Sequence, residues 1–411
     1  TEQGIGGIEA LRVFAEVLAP SCISVDHPRF LSFVPAAPTE ASVLFDLVVG
    51  ASSVYAGSWL EGAGAVFAEN EALRWVADLA GLPVTAGGVF VSGGTAGNLS
   101  ALVAARFRWR ERAGGRFDRT RALLVCSDGA HSSVAAAARA MDADVLRIAA
   151  DDQGRLDVDA LQAALAGLPD DERERIAAVV ATAGTTNVGM VDPLDAIADV
   201  ADELGAWFHV DGAYGGAGLV APSVRHLFAG VERADSFIVD PHKWLFAPYD
   251  CCALLYRDPL LARRAHTQHA EYLDVLQVGE WNPSDFAHHL SRRARGLPFW
   301  YSLATHGTAE YRHAVERTLE VAHAAARLID NAPHLELLMQ PELSVVVFRR
   351  RGWDAKQNQH WSDRMLAAGR AFVVPTSWRG DSVLRICVVN PRTTLDDIQL
   401  LVDSLLIDEL T

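Results

Sequence analysis

Val239-Asp240-Pro241-His242-Lys243-Trp244 sets a lysine just after a short apolar run and a Pro-His pair. Upstream, Trp207-Phe208-His209-Val210-Asp211-Gly212-Ala213-Tyr214 reads as an apolar strand that ends in an aspartate and continues into small residues. Alone, a lysine in an apolar setting is usually a surface residue whose stem snorkels. An aspartate at the end of a parallel strand, however, sits at the edge where open α/β sheets bind ligands. A buried lysine can hold a carbonyl cofactor as a Schiff base. Together the two residues suggest pyridoxal phosphate, which needs an amine for its aldehyde and an anionic carboxylate to keep its pyridine nitrogen protonated.

Working outward, Phe90-Val91-Ser92 is a short strand, and Gly93-Gly94-Thr95-Ala96-Gly97 turns it into a helix with Leu99, Leu102 and Val103 on its apolar face. Free N–H groups and the positive end of the helix dipole make that turn an anion site, although most such turns are only tight turns. The runs 122–127 and 177–182 are continuous apolar strands, followed by Asp128-Gly129-Ala130-His131-Ser132-Ser133 and by Ala183-Gly184-Thr185-Thr186. A helix over 194–204 follows the second. Strand and helix alternate, as in a parallel sheet.

With Ser92 to Asn98, Asp128 to Ser133, Thr182 to Thr186, His209 to Tyr214 and Asp240 to Trp244 in this order, the chain resembles the group II pyridoxal-phosphate-dependent amino-acid decarboxylases. That is the family of the aromatic amino-acid and glutamate decarboxylases. The resemblance implies an α/β chain of fold type I, with a mostly parallel seven-stranded sheet in a large domain and a small α+β C-terminal domain. It divides the chain into an N-terminal helical dimerisation segment (1–60), a cofactor domain (61–300) with a mobile catalytic loop near 259–295, and a small domain (301–411).

It also assigns roles. Lys243 forms the Schiff base and Asp211 faces the pyridine nitrogen. His131 stacks on the ring and meets the substrate carboxylate; without the resemblance it is a helix-capping histidine. Gly94 and Thr95 form the phosphate cup, and Thr186, Ala213, Asp240 and His242 lie near the cofactor. Many members have Asn where Asp240 stands, with its side chain toward the phosphate; a carboxylate there needs a proton or a donor, and suggests a bacterial-type branch. Tyr272 falls where the family carries the tyrosine of a catalytic loop that reaches the neighbouring subunit's site. It is the candidate proton donor, and related aldehyde synthases often have Phe there.

Substrate contacts are expected from Phe33, Val34 and Ala36 in the segment 27–36, from Tyr249, and from Arg385 on an apolar strand; Trp59 is a further pocket candidate. A rigid loop without ligand contact and a structural ion pair for Arg385 are the competing readings.

The remaining segments read as scaffold. Ile8, Leu11, Phe14 and Leu18 space out an amphipathic helix ended by Pro20; its expected role is ordinary packing, whereas in the family such helices wrap the partner subunit. Helices are expected over 69–79, over 158–165, over 308–329 and from Thr394, with further strands at 145–148, 252–256, 343–348 and 383–387. A polar, poorly periodic segment runs from Pro259 to about Arg295.

The chain has 411 residues, half of them hydrophobic, enough to bury a large core. No apolar run is long enough to span a membrane, the N-terminus lacks a signal-peptide layout, and the five cysteines show neither a disulfide framework nor metal-ligand spacing. A cytoplasmic protein with reduced thiols is expected. The formal net charge of -16 opposes nucleic-acid binding, leaving only a local basic patch at Arg292, Arg293 and Arg295.

The expected reaction is decarboxylation of an L-amino acid, aromatic or apolar by preference, to the amine. A decarboxylating aldehyde synthase is the nearest rival, and an inactive regulatory homologue is the rival of another class. The expected assembly is a homodimer with its sites at the interface.

Overall fold

A computed structural model describes residues 2–34, 37–114, 116, 120–268 and 281–406. Seven strands form the main sheet: β1 (Gly87–Val91), β2 (Leu123–Ser127), β3 (Asp144–Ile148), β4 (Ile176–Thr182), β5 (Trp207–Asp211), β6 (Ser236–Val239) and β7 (Cys252–Tyr256). They run in the order β1-β7-β6-β5-β4-β2-β3, with β7 antiparallel to both neighbours and the other pairings parallel.

The continuous apolar runs have a simple cause, since helices cover both faces of the sheet and leave no solvated side. Alternate residues feed two separate cores. Val125, Val179, Phe208 and Phe237 enter one, and Leu124, Val180, Trp207 and Ile238 the other. His209 and Asp211 share the face of Trp207, under the helix Gly94–Arg112. That helix lies close because residue 97 is glycine: a Cβ there would come within 2.9 Å of Ile238 Cγ2.

A second, antiparallel sheet contains β8 (Leu335–Leu337), β9 (Val345–Arg350), β10 (Thr376–Trp378) and β11 (Asp381–Cys387), in the order β10-β11-β9-β8. It packs with the helices Ala355–Ala367 and Leu395–Ser404 and the end of the helix Leu297–Asp330 around a third core. The three-residue strands β8 and β10 are too short to show alternation, so the sequence reading lacked them.

Several boundaries differ from expectation for identifiable reasons. The expected helix at 69–79 begins at Trp59, where Ser58 accepts from the Glu61 N–H; non-helical Gly62 breaks the apolar spacing. The helix expected from Thr308 begins at Leu297, and Gly307, at φ 77°, interrupts the pattern. Pro259–His266 is a helix capped by Asp258, not the start of a long loop. The N-terminal helical run Gly7–Ser21 buries none of its residues, so its apolar stripe does not pack on its own chain as expected.

The expected basic patch is neutralised. Arg293 pairs with Asp46 at 2.6 Å and Arg295 with Asp250 at 3.4 Å. Arg292 is buried against Glu69 in a two-pronged pair at 2.6 and 2.8 Å and also donates to the carbonyls of Ala56 and Phe90. Glu69 in turn accepts from the Gly296 N–H, so one ion pair joins three chain segments to β1. Removing the guanidinium alone strands a carboxylate in the core. Arg292→Ala is therefore expected to lower the unfolding free energy by roughly 3–5 kcal/mol, measured by urea denaturation of purified protein.

Candidate active site

The C-terminal ends of β2, β4, β5 and β6 open on one edge, where a cavity of about 560 Å³ is lined by Lys243, Asp240, Asp211, His131, Gly94 and Thr95, among others. Ala213, Thr186, His242, Phe33, Val34, Tyr249 and Arg385 also line it. Trp59 does not; it opens a helix elsewhere. Ala36 and Tyr272 lie outside the described residues.

Lys243 is placed by a short turn after β6. Pro241 occupies the first position of the one-turn helix Pro241–Trp244, where its missing N–H costs nothing. Trp244 fixes that turn from below: its Nε1–H donates to Thr318 Oγ1 at 2.9 Å, and its ring stacks on Tyr214 with centroids 5.4 Å apart. Tyr214 is held by Ser344, whose N–H donates to its hydroxyl at 3.0 Å. The lysine turn and the β5 aspartate loop are thus packed together and anchored to residues late in the chain.

The ammonium of Lys243 pairs with Asp240, Nζ to Oδ2 at 2.8 Å, rather than with Asp211. Burial disfavours both charges, yet the mutual attraction outweighs it: Lys243 is held above the ordinary lysine pKa and Asp240 below the ordinary aspartate value. The donors that a carboxylate at 240 requires are therefore Lys243 and, at 3.3 Å, the Gly94 N–H. His242 accepts from the Cys251 N–H through Nδ1 at 3.1 Å, and burial lowers its pKa.

Asp211 is buried and oriented without a cation: Asn98 Nδ2–H donates to Oδ2 at 2.8 Å and the Ala213 N–H to Oδ1 at 3.1 Å. His131 caps the helix Ser132–Met141, its Nδ1 accepting from the Ser133 N–H, and it also lines the cavity. Among the threonines, Thr185 does the local capping, its Oγ1 accepting from the Met190 N–H, while Thr186 is left on the cavity wall. Arg385, on β11, has no carboxylate partner among the described residues, contrary to the ion-pair reading. It donates to the carbonyls of Phe33 and Asn187, and its buried Nη2 has no partner.

The pyridoxal-dependent decarboxylase conserved domain matches residues 10–351. The chain belongs to this family of decarboxylases. An aromatic-L-amino-acid decarboxylase of Bacillus atrophaeus is 32% identical over 91% of this chain and 79% of its own length. An L-2,4-diaminobutyrate decarboxylase of Rhizobium meliloti is 32% identical over 98% and 82%. The crystal structure of Oryza sativa TDC with PLP and tryptamine superposes with a TM-score of 0.92 at 26% identity, covering 98% of this chain and 89% of the other.

Like its family, the protein is a carboxy-lyase for amino acids that uses pyridoxal 5'-phosphate. The residues present fit that group. A lysine amine, a buried carboxylate whose hydrogen-bond donors are neutral and a glycine turn share one cavity. A Cβ at Gly94 would stand 3.1 Å from Ala213 Cβ and 3.3 Å from Asp240, filling the cradle.

Sequence reading quoted Asn98 within the glycine motif but gave it no role, and it missed Asn187 and Val374-Pro375-Thr376 on the cavity wall. Asn98 was findable, since it follows Gly94 by four residues on one helix face while His209 and Asp211 share one strand face. Residues 374–376 come from a distant segment with no periodic signal.

Burial holds His209 and His266 at a pKa of about 4, well below the unfolded value. Between about pH 4 and 6.5 the unfolded chain binds more protons, so stability is complete above that window and falls as pH drops through it. Each histidine should remove on the order of 1–3 kcal/mol by pH 4. Urea unfolding from pH 7 to 4.5 should show this slope, shallower in His266→Gln.

Proposed function

We propose that the protein converts an aromatic L-amino acid to its amine and carbon dioxide. The composition of the substrate end of the cavity supports this reading. Phe33, Val34, Tyr249, Val374 and Pro375 line it, and the only carboxylates among the described lining residues, Asp211 and Asp240, are engaged by Asn98 and Lys243. An aromatic side chain finds apolar contact there, whereas the ammonium of 2,4-diaminobutyrate finds no free counter-charge.

In this reading bound pyridoxal phosphate supplies the electron sink for loss of carbon dioxide. Lys243 holds the cofactor aldehyde, and Asp211 keeps a proton on the ring nitrogen. Gly94, Thr95 and His242 would hold the phosphate, with Asp240 beside them, and Thr186, Ala213 and His131 would line the space for the ring. Arg385 offers its unpartnered Nη2 to the substrate carboxylate and holds the Phe33 carbonyl at 2.8 Å, closing the rim. Tyr272 is assigned, by its place in the sequence alone, as donor of the proton that replaces carbon dioxide at Cα.

Purified protein with pyridoxal phosphate, screened against the L-amino acids with identification of the product, should give amine from tryptophan, phenylalanine or a hydroxylated relative. Lys243→Ala should lose both turnover and the visible cofactor band. Turnover of diaminobutyrate alone would overturn the substrate assignment, and aldehyde as the main product would overturn the assigned product.

We also infer a homodimer with sites at the interface. The N-terminal run exposes Ile8 (90%), Leu11, Phe14 and Leu18, and the helix Glu40–Ser52 exposes Val43, Leu44 and Leu47 on one side. Two apolar stripes of this extent are costly to leave in water. A cytoplasmic location accords with five free cysteines; among the described residues no helix is long and apolar enough to cross a membrane. Leu44→Asp with Leu47→Asp should shift sedimentation from dimer to monomer and abolish turnover.

A further inference from the structure

Asn98 is nearly fully buried and uses every polar atom of its amide. Oδ1 lies 2.7 Å from His209 Nε2, and Nδ2 lies 2.8 Å from both Asp211 Oδ2 and Ser133 Oγ. Chemistry fixes the orientation, because the reverse would turn the amide oxygen against the Asp211 carboxylate. The amide oxygen therefore takes the Nε2–H of His209, whose Nδ1 accepts from Ser236 Oγ at 2.8 Å. Ser236 Oγ in turn accepts from the Trp207 indole N–H at 2.7 Å.

On the other side, Ser133 Oγ accepts from Asn98 and has its own hydrogen left for His131 Nδ1, 2.8 Å away. With Nδ1 accepting, the neutral His131 ring carries its proton on Nε2. An unbroken line of hydrogen bonds thus runs from Trp207 to Asp211, with a branch to His131, and Asn98 is the junction. No member of the line is a cation.

We propose that Asn98 is a positioning residue for the ring nitrogen of bound pyridoxal phosphate: it acts through Asp211, whose carboxylate it holds in place and ties to the wall bearing His131. The proposal rests on the cavity being the pyridoxal phosphate site. It concerns a specific contact, carboxylate to ring nitrogen, and so can be separated from general support of the fold.

The test compares pyridoxal phosphate with its 1-deaza analogue, in which carbon replaces the ring nitrogen. Each is titrated by its absorption band into the wild-type chain, Asn98→Leu and Asn98→Ala, with thermal unfolding of every variant recorded. The wild type is expected to bind pyridoxal phosphate at least ~10-fold more tightly than the analogue, and the variants to lose most of that preference while binding the analogue as the wild type does. Equal weakening toward both compounds, or a preference retained in the variants, would make the role structural and overturn the proposal. Failure of both variants to fold counts against it in the same way, as does a wild type that does not discriminate. A wild type that binds neither compound instead refutes the underlying assignment of the cavity.

Discussion

A lysine amine at the floor of a cleft needs a counter-charge, and here the neighbouring turn provides it. Asp240 sits three residues before Lys243, and the one-turn helix between them brings Nζ to the carboxylate. The Asp240 side chain is 1% exposed and that of Lys243 25%, so the carboxylate alone would be strongly disfavoured. The pairing offsets the cost of holding a half-buried ammonium beside a buried carboxylate. It also explains how an aspartate is accommodated beside the Gly94 turn: its charge is directed at the ammonium, and the Gly94 N–H adds a second, longer contact.

The sheet turns this local solution into a site. Its parallel strands place four loop starts side by side on one edge, so residues separated by more than a hundred positions meet without a long connection. Gly97 lets the helix Gly94–Arg112 approach β6 closely, and that approach carries Asn98 to the strand face where His209 and Asp211 point. From the other side, Trp244, Tyr214 and Ser344 lock the floor to the later part of the chain, while Arg385 on β11 draws the Phe33 carbonyl over the rim.

Sequence patterns revealed what repeats at short range. Buried strands announce themselves as apolar runs, and loops at their ends were found with the residues that line the cavity: Lys243, Asp211, His131, Gly94 and Thr95. Partner choice was hidden, because it depends on distances between segments. Nothing in Asp211 and Lys243 as residue types tells that the lysine pairs with Asp240 and the aspartate with an asparagine. Likewise Arg292 and Glu69 looked like ordinary charges until burial made them partners. Helices interrupted by Gly62 and Gly307 lost their spacing in the pattern, and strands of three residues never had any.

The neutrality of the network around Asp211 has a physical consequence. A cationic partner would also have oriented the carboxylate, and more strongly, but it would have neutralised more of its charge. Amide donors from Asn98 and Ala213 leave nearly all of that charge in place. His209 could break this scheme if it carried a proton, yet burial holds its pKa at about 4 and so keeps the ring neutral at working pH. Its remaining N–H then serves only to hold the Asn98 oxygen, which determines the direction in which the amide donates. Geometry is thereby fixed by neutral groups, and in the proposed reading the Asp211 carboxylate is left to face the ring nitrogen of the cofactor.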